Sequence, residues 1–144
     1  MYNNTSTIKA MIQNGKEEKM TSNQLSLKTA ITNSSGQKFV VNLFNLFEKY
    51  YDILLDNTVT VVLTEDEYLK YRFKPKLLSK DLYGSKDLYY LLIRLNNIYT
   101  VIEFDFKEIK VFNTNIVSLL NEIMILESEN YIENELSVIK EINE

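Results

Sequence analysis

The side chains that carry most protein chemistry are missing from this chain. Its 144 residues include no His and no Cys, and only three Gly and one Pro. Without imidazole or thiol there is no Ser-His-Asp triad, no thiolate nucleophile and no CxxC redox pair. A structural zinc site is excluded for the same reason. The glycines form neither a GxGxxG turn nor a P-loop phosphate cradle. Carboxylates are plentiful, twenty Asp and Glu, but no EF-hand loop arranges them around Ca²⁺. Paired-carboxylate hydrolysis is the one class that counting leaves open. The chain reads as a protein that is not an enzyme and takes no metal and no cofactor.

One stretch has residue types in a pattern suited to recognition. Lys70, Arg72, Lys74 and Lys76 alternate with Tyr71, Phe73 and Pro75. On a strand, this alternation sets a basic row on one face and aromatics on the other. Pro75 then marks the strand's end or an edge position. A basic row with aromatics suits nucleic acid, and an amphipathic strand with its charges in water has the same pattern. The net charge of -4 favours the second reading, so no nucleic-acid partner is expected.

Charge is uneven along the chain. Residues 1–65 balance, residues 66–100 carry a net +3, and residues 101–144 carry -7. Such asymmetry lets chains meet end to side; a solvated acidic tail has the same composition. The first twenty residues hold no apolar run long enough for a secretory leader. No stretch is long and apolar enough to span a bilayer, so no membrane partner is expected.

The length suits one domain, and 45% hydrophobic with 25% charged residues is ordinary for a globular one. Residues 1–23 are polar and read as a flexible N-terminal arm. Residues 24–67 read as a hairpin, a helix and a strand. Leu25, Leu27 and Thr29 alternate, Asn33-Ser34-Ser35-Gly36 supplies a turn, and Phe39-Val40-Val41 returns. Leu43, Leu46, Phe47, Tyr50, Tyr51, Ile53 and Leu54 have helical spacing, and Val59–Leu63 is a β-branched run.

In residues 68–113, the Tyr68–Pro75 strand leads to a helix over Lys76–Tyr83, closed by Gly84. Ser85 caps a second helix over Lys86–Asn97. That helix carries Leu88, Leu91, Leu92 and Leu95 on one face and Tyr89, Tyr90 and Ile93 on much of the rest, so it must be covered on more than one side. A partner subunit on the Tyr89 and Tyr90 side is the favoured cover. Strands over Val101–Phe106 and Ile109–Phe112 follow. Residues 114–144 read as a helical extension, with Ile116, Leu119, Leu120, Ile123 and Met124 in one stripe and a sparser seam of Ile132, Leu136, Ile139 and Asn143.

The strand–helix–helix–strand order resembles a LysM-type unit, and the residues agree. Leu82-Tyr83-Gly84, Leu88-Tyr89 and Asn96 or Asn97 match the Tyr-Gly pair, the Leu-Tyr helix and the Asn of such repeats. With Tyr71-Arg72-Phe73-Lys74-Pro75 and Ser79–Gly84 included, the chain resembles the small LysM-like baseplate wedge subunits of contractile-tailed phages. The resemblance covers about a third of the chain strongly. It implies an α+β fold, a small LysM-like core with an N-terminal hairpin and helix and a C-terminal helical extension. It also implies a structural protein of the virion tail baseplate, assembled in the host cytoplasm and joined to other tail proteins in a sixfold assembly. Its interface and motif residues would be Tyr71, Phe73, Pro75, Leu82, Tyr83, Gly84, Leu88, Tyr89, Tyr90, Asn96 and Asn97. A LysM-type peptidoglycan-binding module is the alternative. The Gly-Asp-Thr-like loop of glycan-binding LysM modules is replaced here by Lys74-Pro75-Lys76, which favours assembly over sugar binding.

Overall fold

A computed structural model describes residues 5–15, 28–32, 36 and 38–127. In chain order the elements are α1 (Thr5–Asn14), β1 (Lys28–Thr32), β2 (Lys38–Asn42), α2 (Leu43–Lys49), α3 (Tyr51–Leu54), β3 (Thr58–Val62), α4 (Glu65–Tyr71), α5 (Pro75–Tyr83), α6 (Tyr89–Leu95) and β4 (Glu108–Phe112). A further helix, α7, runs over residues 116–127. Short 3-10 turns at Leu55–Asn57, Lys86–Leu88 and Val101–Glu103 complete the set. The fold is a small α+β arrangement with two separate antiparallel pairs, β1–β2 and β3–β4.

The expected hairpin is present as β1–β2, in register from Lys28 opposite Asn42 to Thr32 opposite Lys38. Leu25 and Leu27 lie outside the described residues, as does the seam of Ile132, Leu136, Ile139 and Asn143. Asn42 then caps α2, its Oδ1 accepting from the N–H groups of Phe44 and Asn45. The long helix expected over Leu43–Leu55 is broken at Tyr50 into α2, α3 and a 3-10 turn. Leu43, Leu46, Phe47 and Leu54 from it are buried, while Ile53 points outward.

Three expectations are corrected. The first concerns the N-terminal arm, of which residues 5–14 form a helix that packs against α5 and β3. Ile8, Met11 and Ile12 have the i, i+3, i+4 spacing of one helix face, and Ile8 is fully buried. Gly15 ends the helix so close to Thr114 that a Cβ there would lie 2.7 Å from the Thr114 side chain.

The second concerns Tyr68–Pro75, which is not a strand. Residues Glu65–Tyr71 are the helix α4, and the strand of this unit is β3, earlier in the chain. A capping box starts α4. The Glu67 N–H donates to Thr64 Oγ1, and the Thr64 N–H donates to Glu67 Oε1. Three acidic residues in the first turn favour the dipole's positive end. The chain reverses through Phe73 at φ 61°, and Pro75 opens α5 at its first turn, where a missing N–H costs nothing. The basic residues therefore do not share one face.

The third concerns Val101–Phe106, which forms a 3-10 turn and extended coil. Phe104 is buried but Ile102 is 75% exposed, so the apolar alternation does not mark a buried face.

The helix expected over Lys86–Asn97 is shorter, a 3-10 turn at Lys86–Leu88 followed by α6 over Tyr89–Leu95. Gly84 ends α5 at φ 84°, the left-handed conformation that glycine adopts without strain. Ser85 Oγ accepts from the Asp87 N–H at the start of the turn that leads into α6. Ile116, Val117, Leu120 and Met124 bury one stripe of α7. Phe47, with no exposed surface, touches Tyr51, Tyr90 and Phe112 edge-on at centroid distances of 5.4, 5.6 and 5.6 Å. Such pairs each contribute about 0.5–1.5 kcal/mol beyond area burial. Phe47 thus locks α2 and α3 onto α6 and β4.

Replacing Thr64 tests the helical assignment of residues 65–71. Thr64→Ala removes one half of the capping box and lowers stability by about 0.5–2 kcal/mol in urea unfolding. A strand at 68–75 would leave the urea midpoint unchanged.

Candidate functional site

Two of the motif residues, Tyr83 and Asn96, meet at one strand, β4, and the reason lies in its ladder. The Leu63 N–H donates to the Lys107 carbonyl and the Asn113 N–H to the Asn57 carbonyl, each at 2.7 Å. Hydrogen-bonded pairs alternate along an antiparallel ladder, so Val61–Ile109 and Val59–Val111 are bonded pairs in the observed register. The main-chain groups of Lys110 and Phe112 therefore face away from β3.

Two side chains complete that outer edge. The Tyr83 hydroxyl donates to the Phe112 carbonyl at 2.8 Å and accepts from the Phe112 N–H at 3.0 Å. The Asn96 Nδ2 donates to the Lys110 carbonyl at 2.8 Å, and its Oδ1 accepts from the Lys110 N–H at 2.9 Å. Nδ2 also donates to the Leu92 carbonyl at 2.8 Å, holding the amide upright at the end of α6. Each side chain thus bonds both backbone groups of one residue, as a third strand would. Tyr83 is wholly buried, and burial raises its pKa well above the usual tyrosine value.

The other motif residues lie beside this edge or away from it. Gly84 follows Tyr83 directly, Asn97 turns the chain after Asn96 at φ 58°, and Leu82 and Leu88 are fully buried beneath it. Pro75 is buried at the start of α5, and the buried Tyr71 donates from its hydroxyl to Asp81 Oδ2 at 2.8 Å. Tyr89 is half-buried on the surface, with Lys76 Nζ 5.0 Å from its ring centroid.

Tyr90 is placed differently from expectation. Only 8% exposed, it lies under α2 against Phe44 and Phe47. The chain's own helix supplies the cover that a partner subunit was expected to provide. Among the described residues its hydroxyl has no hydrogen-bond partner.

Phe73 is the most accessible aromatic of the motif, 42% exposed. Its positive φ is rare for a bulky side chain, and its N–H donates to the Phe104 carbonyl at 2.7 Å. Arg72 stacks over Phe73 at 4.6 Å and forks onto Asp105, with Nε 3.0 Å from Oδ1 and Nη2 3.3 Å from Oδ2. The Tyr68 hydroxyl also donates to Asp105. The hydrogen bond from Tyr68 and then the Arg72 cation hold the Asp105 pKa below its ordinary 3.8. This cluster ties the turn after α4 to the 101–106 segment. No local spacing in the sequence joins its members, which are 33 and 37 residues apart.

Beside the cluster, Tyr99 is 91% exposed, and Ile102 and Val101 also face solvent. An open cleft of about 270 Å³ lies alongside, lined by Arg94, Asn97, Ile98 and Tyr99. Among the described residues no three acidic side chains converge on a point that would hold a metal ion, and no helix is long and apolar enough to cross a membrane.

Two outcomes check this geometry. Tyr83→Phe strands two buried main-chain groups and costs about 1–3 kcal/mol in urea unfolding, whereas Tyr90→Phe removes an unpaired hydroxyl and leaves stability equal or higher. A carboxylate with a depressed pKa keeps its stabilising contacts above the ordinary range and loses them as pH falls through its folded value. The Asp105 carboxyl therefore titrates below 3.8 by NMR, and Tyr68→Phe moves that midpoint upward.

Comparison of the chain with protein-family models, with curated proteins and with solved structures finds no match.

Proposed function

We propose that the chain is a structural subunit of a contractile tail baseplate, a wedge component that joins neighbouring proteins through a LysM-like module. The observation that carries this reading is the unit between residues 58 and 112. An antiparallel strand pair brackets consecutive helices, and the Tyr83-Gly84 and Asn96 positions of the resemblance complete its outer edge. These residues have work to do within the module itself, which is what a shared framework requires. The unit uses three helices, α4 to α6, between its strands, one more than the strand–helix–helix–strand order of the resemblance. The tail-specific part of the reading rests on the Tyr71–Pro75 and Ser79–Gly84 runs.

In this role the contact residues are on the outside. Tyr90 is internal, so the anchors move to Tyr99, Val101, Ile102 and Phe73, which present large apolar side chains to solvent. Aromatic anchors suit an interface because they bury area at small entropy cost. The partners are other tail proteins; glycan strands of peptidoglycan are the competing ligand.

The test is sedimentation of the tagged chain from cells in which a contractile tail is being assembled. It is expected to co-sediment with tail assembly intermediates, and Tyr99→Ser with Ile102→Ser is expected to reduce this about tenfold or more at unchanged melting temperature. A chain that sediments alone overturns the assembly role. Saturable pelleting with bacterial sacculi at moderate salt replaces it with the glycan-binding role.

A further inference from the structure

The cations of residues 66–100 fall into two sets. Lys70, Arg72 and Arg94 have carboxylate partners, Asp81 at 3.4 Å, Asp105 at 3.0 Å and Glu48 at 3.2 Å. Lys74, Lys76, Lys80 and Lys86 have none among the described residues, and all four are exposed, Lys74 at the N-cap of α5. They are also close together. Lys76 and Lys80 stand one turn apart on α5, Lys76 lies over the Tyr89 ring, and Lys86 opens the turn that leads to Tyr89. The result is an uncompensated basic face around a half-buried tyrosine.

We propose that this face is the docking surface of the chain's own residues 128–144. That segment carries five Glu against one Lys, with Ile132, Leu136 and Ile139 between them. Its charge complements the face, and its apolar residues suit the Tyr89 ring. Its starting point is also favourable. Glu127 is held by Lys49 and Tyr50 at the end of α2, and α2 packs on α6 through Phe44 and Phe47 against Tyr90 and through Glu48 against Arg94. Tyr89 is the neighbour of Tyr90 on α6. The tether therefore begins about one helix layer, roughly 8–10 Å, from the helix that bears Tyr89. Seventeen residues reach about 25 Å as a helix and about 55–60 Å extended. A tether of this length supplies an effective concentration near millimolar, so the chain's own segment outcompetes that of a second copy in dilute solution.

Zero-length carbodiimide coupling of the full chain at micromolar concentration and low salt tests the proposal, with linked peptides identified by mass spectrometry. Links from Glu129, Glu133, Glu135, Glu141 or Glu144 are expected on Lys76, Lys80 and Lys86 within monomers, about tenfold above those on exposed Lys38 and Lys110. One molar salt, with a screening length of about 3 Å, is expected to abolish the preference. In a folded Lys76→Gln, Lys80→Gln, Lys86→Gln variant, amide exchange of residues 128–144 is expected to speed up relative to the unaltered chain. Equal coupling to all five lysines, or unchanged exchange in the variant, overturns the proposal. Links found only in covalent dimers overturn docking within one chain and assign the face to the segment of a second copy.

Discussion

Two isolated β-strands are marginal in water, and in this protein the β3–β4 pair persists because helices finish it. Lys110 and Phe112 turn one N–H and one C=O each away from β3. Left unpaired, the two Phe112 groups would be buried without partners, at a cost of about 1–3 kcal/mol, an appreciable share of a small domain's stability. Tyr83 from the end of α5 and Asn96 from the end of α6 supply those partners. The placement of both helices follows from this constraint. Tyr83 must be the last residue of its helix, so Gly84 has to turn the chain at once. Asn96 must stand at the end of α6 with its amide parallel to the strand, and Asn97 reverses the chain behind it. A blocked edge also stops a further strand from adding to β4, the hazard of any open sheet edge.

A second constraint joins this unit to the preceding part of the chain. Phe47 is enclosed by Tyr51, Tyr90 and Phe112, so α2 cannot leave without exposing the aromatic side of α6. The chain's own α2 thus covers the Tyr90 side of α6. Large apolar side chains are exposed on helices, at Phe44, Ile53, Leu69 and Leu126, and on loops, at Tyr99, Ile102 and Phe73. The proposed assembly role uses the loop set, because Arg72, Tyr68 and Asp105 tie those loops together.

Much of the arrangement around Tyr83 was legible in the sequence because its signals are local. Gly84 after Tyr83, Ser85 before Asp87 and the leucine stripe of α6 each act within a few residues. The α4 region misled for a physical reason. Its seven residues bury only Glu67 and Tyr71, so apolar periodicity is weak, while Lys70 to Lys76 alternate by chance across a helix end, a turn and a helix start. The Thr64-x-x-Glu67 capping box and Pro75 at a first helical turn were the better guides. The alternation of residues 101–106 failed similarly, since alternation signals a strand only where a partner strand exists. Tyr90 illustrates a different limit, because whether a helix face is covered by its own chain or by another depends on tertiary contacts that α6 alone does not encode. The clasp of Tyr83 and Asn96 on β4 could be located as a motif but not understood as one, because its bonds span 29 and 14 residues.

The central claim is that side chains stand in for a third strand along β4. Residue-resolved native-state hydrogen exchange of the full chain tests it most directly. If the claim holds, the Lys110 and Phe112 amides exchange as slowly as those of Ile109 and Val111, which are bonded to β3. Exchange of Lys110 and Phe112 at the rate of an open edge, with Ile109 and Val111 still protected, would contradict it.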